Sequence, residues 1–378
     1  MNSEKVPGAK ISSLMALLLI GSSVSLGASG EAKQDSWISM AIATGGGLLL
    51  AWLYSAVLRL HPGKNMYDIF VEVFGNVGGK IVCGLYALYA AYLGARIFAV
   101  YDNFIRIVNL DVTPTSAILL LSVPLIAGLV KCGLKNMANC SKPLFLIVVV
   151  LTGITMFLGL NFMDLANIKP ILAASPKALM STSFEYLTLP LGESVLCMSF
   201  FGEVDQKESP FRILAGGVLL GGGLLVVIIL RNLLLLGAPT TSLFLFTSYD
   251  AVGIISVGDF VTRISVFIGV ELTLTGVAKI SVFTYSASVG VAKTLGIKKY
   301  LQPAAPCCAL MAAVSMTLYS NILSEFTFEK YVSLIGIPFQ IVLPAAVLIT
   351  GKIRQRGKKK KKAAVKKTAA VHIPAPEE

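Results

Sequence analysis

Apolar residues in this chain do not alternate with polar ones, nor do they recur every three or four positions as on a water-facing helix. They run in long blocks interrupted by charged residues and by proline and glycine, at 11–30, 37–59, 80–108, 115–131, 143–162, 184–202, 212–237, 258–291, 303–321 and 331–351. Blocks of this length match the hydrocarbon thickness of a bilayer when helical. The pattern predicts an all-α polytopic membrane protein with about ten transmembrane helices. Residues 1–351 form its transmembrane domain. Residues 352–378 have no apolar periodicity, end in IPAPEE, and are expected to be a disordered basic tail. Lys5 and Lys10 ahead of the first block, and the small residues ASG in it, resemble a secretory signal. The block is long enough to span, and it is read as the first helix.

Composition sharpens the membrane reading. Of 378 residues, 55% are hydrophobic and 14% charged, and mean hydropathy is +0.79, whereas soluble domains carry about 25% charged residues. The net charge of +12 would suit a nucleic-acid partner, but ten of the basic residues lie from Lys352 onward, so none is expected. With the N-terminus inside, only Lys33, Arg106, Lys169, Lys177 and Lys330 fall in outer segments, against thirteen in the inner ones before the tail. That asymmetry predicts cytoplasmic termini. The run Lys358 to Lys362 can attract anionic membrane lipids, or serve only as a solvated anchor.

Enzymatic chemistry is not expected. Cys83, Cys132, Cys140, Cys197, Cys307 and Cys308 lack the spacing of a zinc site, and His61 and His372 are the only histidines. There is no Walker, GxSxG or HExxH motif, and no metal or cofactor is expected.

Ten blocks divide into two sets of five, and the first of each set is interrupted. Span one contains GSSVSLGASG from Gly21 to Gly30, and span six contains LPLGESV from Leu189 to Val195. Such breaks free backbone groups that a membrane tolerates only against protein or a wet cavity. Paired breaks in two halves point to a transporter-type binding site near the midplane; small residues at close helix contacts are the competing reading. Glu193 lies in the second break, where a carboxylate faces a cavity or a partner and suits proton exchange or a salt link. On span eight Glu271, Thr275 and Lys279 share one face, and Glu271 and Lys279 stand ~12 Å apart along the axis, too far to pair. Glu193 is the expected partner of Lys279. Ser281 and Tyr285 either contact a small polar ligand or join helices. Arg96, with Tyr89 and Tyr92 nearby, either lines the cavity or snorkels. Arg231, and Asp102 with Arg106 as a surface pair, read as structural.

Several segments together carry a family resemblance. They are HPGKNMYDIFVEVFGNVGGK after span two, LPLGES and FFGE in span six, SVGDFVTR, and KISVFTYSASVGVAKTLGIKKY. Over residues 11–351 the chain resembles the B subunit of the nutrient germinant receptors of bacterial spores. That endospore germination permease family sits within the amino acid, polyamine and organocation transporter superfamily. The resemblance implies a five-plus-five inverted repeat with broken helices 1 and 6. It further implies a multi-pass subunit of the spore inner membrane that works with A and C subunits, binds a small nutrient such as an amino acid, and triggers germination. Ligand contacts carried over are Gly21, Ser22, Ser23, Ser25 and Gly27 of span one and Gly192, Glu193 and Ser194 of span six. Tyr92, Arg96, Ser281 and Tyr285 come from spans three and eight, with Glu193, Glu271 and Lys279 as charge-coupling residues. Span one is richer in serine than is usual in relatives and lacks their proline after the break. A proton- or sodium-coupled amino acid transporter is the alternative function.

Overall fold

The computed structural model describes residues 5–21, 31–108, 113–255, 264–319 and 322–354. Described residues are almost wholly helical. In chain order the helices are α1 (Gly8–Ile20), α2 (Ser36–Leu60), α3 (Met66–Val108), α4 (Thr115–Lys131), α5 (Leu134–Gly159) and α6 (Pro176–Thr188). A 3-10 run (Leu191–Phe200) follows, then α7 (Pro210–Thr241), α8 (Thr247–Gly253), α9 (Ser265–Leu295), α10 (Ala304–Leu318) and α11 (Ile322–Ile337). A π turn (Pro338–Val342) continues α11 into a last helical stretch that ends at Arg354. Among the described residues six helices are long and apolar enough to cross a membrane, and Gly8–Ile20, Thr115–Lys131 and Ala304–Leu318 are shorter apolar helices.

Local sequence explains the boundaries. Ser175 caps α6 by accepting from the Ala178 amide, and Pro176 takes the first helical position, where no amide is needed. This start lies eight residues before the expected one, because PKALMSTS is too polar for hydropathy to mark. Span three also begins early, at Met66, and bends at Gly75, whose φ of 81° favours glycine. At the other end of α9, Gly296 (φ 74°) closes the helix in the left-handed conformation. Pro338 lacks an amide and sits where α-helical hydrogen bonding widens into the π turn. Between the predicted spans seven and eight the chain forms the short helix α8.

The packing repeats with pseudo-two-fold symmetry. Exchange the first five spans for the second five, so that α1 goes to α6 with its 3-10 run, α2 to α7, α3 to α9, α4 to α10 and α5 to the last helix. The contact α1·α7 then becomes α6·α2, and α3·α10 becomes α9·α4; α2·α7, α3·α9 and α4·α10 map onto themselves, and every one of these contacts is present. Likewise α5·α9 becomes the last helix against α3, where Phe339 stacks on Tyr89 and meets Tyr86 edge-on. Large apolar side chains such as Leu120, Leu121, Leu146 and Phe157 cover the outside, while Ser12, Thr152, Thr155, Glu193, Arg231, Glu271 and Lys279 are buried. That inside-out distribution is what lipid contact requires.

Candidate functional site

The second break forms where Pro190 lacks an amide and drives Leu189 into an extended conformation (φ −141°, ψ 107°). The helix therefore stops at Thr188 and resumes as a tighter 3-10 run, with the Glu193 amide donating to the Pro190 carbonyl at 3.2 Å. Glu193 is thus fixed in the first turn beyond the break. Its Oε2 accepts from Lys279 Nζ of α9 at 2.5 Å, and neither side chain is exposed to any degree. The expected partnership between Glu193 and Lys279 is present. Lys279 also lies over the Phe283 ring, 5.6 Å from its centroid.

The end of α1 meets the same lysine. Helix α1 ends at Gly21, whose amide still donates to Leu17 and whose carbonyl accepts from the Tyr101 hydroxyl at 3.1 Å. A Cβ at Gly21 would stand 2.9 Å from Lys279 Cδ and 3.0 Å from the Thr275 carbonyl, so only glycine lets α9 approach this closely. The carbonyl end of α1, where the helix dipole is negative, is therefore packed against the stem that carries the ammonium. Ser22, Ser23, Ser25 and Gly27 lie outside the described residues, as does the block 256–263 with GDF and Arg263.

A residue the sequence reading did not single out completes the cluster. Gln340, on the π turn, donates through Nε2 to the Tyr89 hydroxyl (2.8 Å) and to the carbonyl freed at Thr188 (2.9 Å). Its backbone carbonyl accepts from Tyr54 at 2.8 Å, and the Phe339 carbonyl accepts from Tyr86 at 2.5 Å, so tyrosines of α2 and α3 hold the turn. Gly192 faces the Gln340 amide so closely that any Cβ would collide with it. Three buried polar atoms around the break have no hydrogen-bond partner among the described residues: Glu193 Oε1, Ser194 Oγ and Gln340 Oε1. Groups of this kind are costly unless something pairs with them. The available signal was a lone amide beside a proline in the apolar run GIPFQIVLP.

Other predicted residues lie at varying distances from this cluster. Arg96 is 3% exposed and acts electrostatically on Tyr89 and Tyr92, and half-buried Tyr92 faces Tyr319. Ser281 donates to the Val277 carbonyl of its own helix and lines a separate apolar cavity of about 270 Å³ between α1, α4, α5 and α9. Tyr285 stands at the far end of the 3-10 run, edge-on to Phe200 and Tyr300, and donates to Glu203 at 3.2 Å. Tyr300 donates to the same carboxylate at 2.8 Å. Burial first, and then the Glu203 charge, hold the Tyr300 phenol well above its usual range, so it remains a donor. Beside this group the segment before α1 is strapped to the chain after the run, Val6 N to Glu203 O and Asp205 N to Val6 O. Asp102 is not the surface partner expected: it is 7% exposed, accepts from Thr115 at 2.7 Å, and lies 4.0 Å from Arg106. Among the described residues no three His, Cys, Asp or Glu side chains gather as a metal site.

The end of α1 and the break after Thr188 meet at a buried ion pair inside two related sets of helices, as in a membrane transporter fold. The family model for spore germination proteins matches residues 5–324. The chain belongs to that family. It is 25% identical over 346 residues to spore germination protein KB of Bacillus subtilis (strain 168), covering 87% of this chain and 90% of the relative. Among solved structures it resembles MHP1, a nucleobase-cation-symport-1 family transporter in a closed conformation with bromovinylhydantoin bound. That match has a TM-score of 0.68 at 11% identity, over 92% of this chain and 78% of the other. It establishes a shared inverted-repeat fold.

Proposed function

We propose that this protein is the nutrient-sensing membrane subunit of a spore germinant receptor. In this reading it lies in the spore inner membrane with both termini cytoplasmic, assembles with A and C subunits, and binds a small amino acid at the paired breaks. The observation that carries the ligand class is the fully buried Lys279–Glu193 pair flanked by unpartnered Glu193 Oε1, Ser194 Oγ and Gln340 Oε1. Removing one partner of a buried pair costs about 3–5 kcal/mol, because a charge is left uncompensated. A zwitterion avoids that cost. Its ammonium replaces Lys279 at Glu193 while its carboxylate takes Lys279, so the pair opens with both charges still matched. Gln340 Oε1 and Ser194 Oγ add acceptors for the ligand's remaining N–H groups. Binding then shifts the equilibrium between conformations by the ligand's differential affinity for them, and the partner subunits read that shift.

Coupled amino acid transport is the second reading, favoured by the transporter fold shared with MHP1. One experiment separates the two. The protein is reconstituted in liposomes under proton or sodium gradients, and equilibrium binding and uptake of labelled amino acids are followed together. Saturable binding without accumulation is expected. Accumulation driven by a gradient replaces the sensor with a transporter, and absence of amino acid binding removes the proposed ligand class.

A further inference from the structure

A second buried acid stands apart from the paired breaks. Glu271 lies on α9, two turns before Lys279, and is 2% exposed. Its Oε1 accepts from the Thr152 hydroxyl of α5 at 3.2 Å, and its Oε2 is buried with no hydrogen-bond partner. Unlike Glu193, it has no direct ion pair among the described residues. The cation that acts on it is Arg231 of α7, itself fully buried, but the guanidinium is directed elsewhere: Nη1 donates to Thr155 at 2.8 Å, and Nε and Nη2 to Asn232 at 3.2 and 3.0 Å. Asn232 in turn donates to Ser248 of α8 at 3.0 Å.

The other elements packed on this stretch supply little charge. From α3 come Tyr101, whose hydroxyl bonds the Gly21 carbonyl, and Asp102, which lines a small cavity with Thr273 and Gly276 of α9 but accepts from Thr115 and lies 4.0 Å from Arg106; α8 carries Asp250, on which no basic side chain among the described residues acts. The lysines of α4 and α5 lie toward the other end of those helices, Lys131 in the last turn of α4, Lys135 in the first turn of α5 and Lys142 ten residues before Thr152. Thr275, on the same face of α9, donates to the Glu271 backbone carbonyl and not to its carboxylate.

We propose that Glu271 is a reversible proton-binding site, set in the Thr152–Arg231–Asn232–Ser248 network and separate from the Glu193–Lys279 pair. The proton adds to Oε2, which becomes a donor, while Oε1 goes on accepting from Thr152. Arg231 stays charged throughout, held by the neutral oxygens of Thr155 and Asn232. Ionised Glu271 attracts Arg231 and draws α9 toward α7; neutral Glu271 releases that attraction. Since α9 also carries Lys279, proton occupancy biases the helix that closes the paired breaks.

Infrared difference spectra of the full-length protein in lipid nanodiscs, recorded across a pH titration without nutrient, test this directly. The carboxylic-acid band of the unaltered protein should titrate with pH, and one component of it should be lost in Glu271→Gln and kept in Glu193→Gln, above the background of the other acidic side chains. Thr152→Ala, which removes the hydroxyl donor that the described residues supply to the carboxylate, should displace the midpoint of that component and decides the matter if Glu271→Gln does not fold. A titration difference spectrum that Glu271→Gln leaves unchanged, or an unmoved midpoint in Thr152→Ala, overturns the assignment. The readout needs no amino acid ligand, so it stands or falls independently of the sensor reading.

Discussion

At the scale of single residues, the Glu193–Lys279 pair makes a prediction that separates stability from recognition. Both side chains have lost all contact with solvent, so Glu193→Gln leaves a buried ammonium without its counter-charge and should destabilise the protein by about 3–5 kcal/mol. Glu193→Gln combined with Lys279→Met removes both charges and should recover most of that loss. Thermal unfolding in detergent checks the pair of variants, and a single variant as stable as the parent would mean the ammonium has another counter-charge. Amino acid binding should stay absent in both. Gly192→Ala acts on the neighbouring contact: its new methyl must push the Gln340 amide away from Tyr89 and Thr188. Nutrient affinity is expected to fall by roughly tenfold, the equivalent of about 1.4 kcal/mol and in the range of one or two lost hydrogen bonds. Equilibrium binding that is unchanged would reduce Gln340 to packing.

Elements bring these residues together by failing to be regular. The stop at Thr188, the 3-10 run after Pro190, the end of α1 at Gly21 and the π turn at Pro338 all fall beside one cluster, and each exposes backbone groups that a regular helix would consume. The Thr188 carbonyl is taken by Gln340, the Gly21 carbonyl by Tyr101 and the π-turn carbonyls by Tyr54 and Tyr86. Tyr54→Phe should therefore loosen the π turn at a cost of about 1–3 kcal/mol, because it leaves a buried carbonyl unpaired. Amide exchange around 338–342 measures it, and unchanged protection would mean that the turn is held by its own helix. The C-terminal segment makes an opposite prediction. Deleting residues 357–378, which are mostly lysine and small residues, should leave nutrient specificity unchanged in germination dose curves; an altered ranking of nutrients would give the tail a part in recognition.

At the scale of the molecule the described helices interlock as two related sets, and at one end the segment before α1 is bridged to the chain after the 3-10 run. Glu203 accepts from Tyr285 and Tyr300, and the strand-like bridge between Val6 and Val204 lies beside it. Hydrogen bonds to a charged group contribute about 1.5–3 kcal/mol. Tyr285→Phe with Tyr300→Phe should thus speed amide exchange at Val6 and Asp205, the two bridge donors, by about tenfold or more. Exchange at the parent rate would place the strength of the closure in the bridge itself. In a sensor this end must yield for the signal to pass, so the same double variant is expected to shift the nutrient dose curve as well.

Hydropathy and the placement of proline were enough for the membrane class, the positions of most spans and the break after Thr188, because lipid demands long apolar blocks and because proline removes an amide that a continuous helix would use. The sequence also made Glu193 and Lys279 conspicuous, since charge inside an apolar block is expensive enough to be visible in one dimension. Hydropathy did not mark the polar start of α6 or the helix before Gly75, whose residues are too mixed to register as apolar blocks. Only the tertiary structure decided what meets what. The amide of Gln340 stood out in the apolar run of span ten, but its partner did not, because it acquires meaning only when the pseudo-two-fold packing carries it to the carbonyl freed in span six. Arg231 and Glu271 read as separate residues on separate spans, yet they share one buried network. Distances between helices far apart in the chain are set by packing, and packing is a property of the assembled bundle.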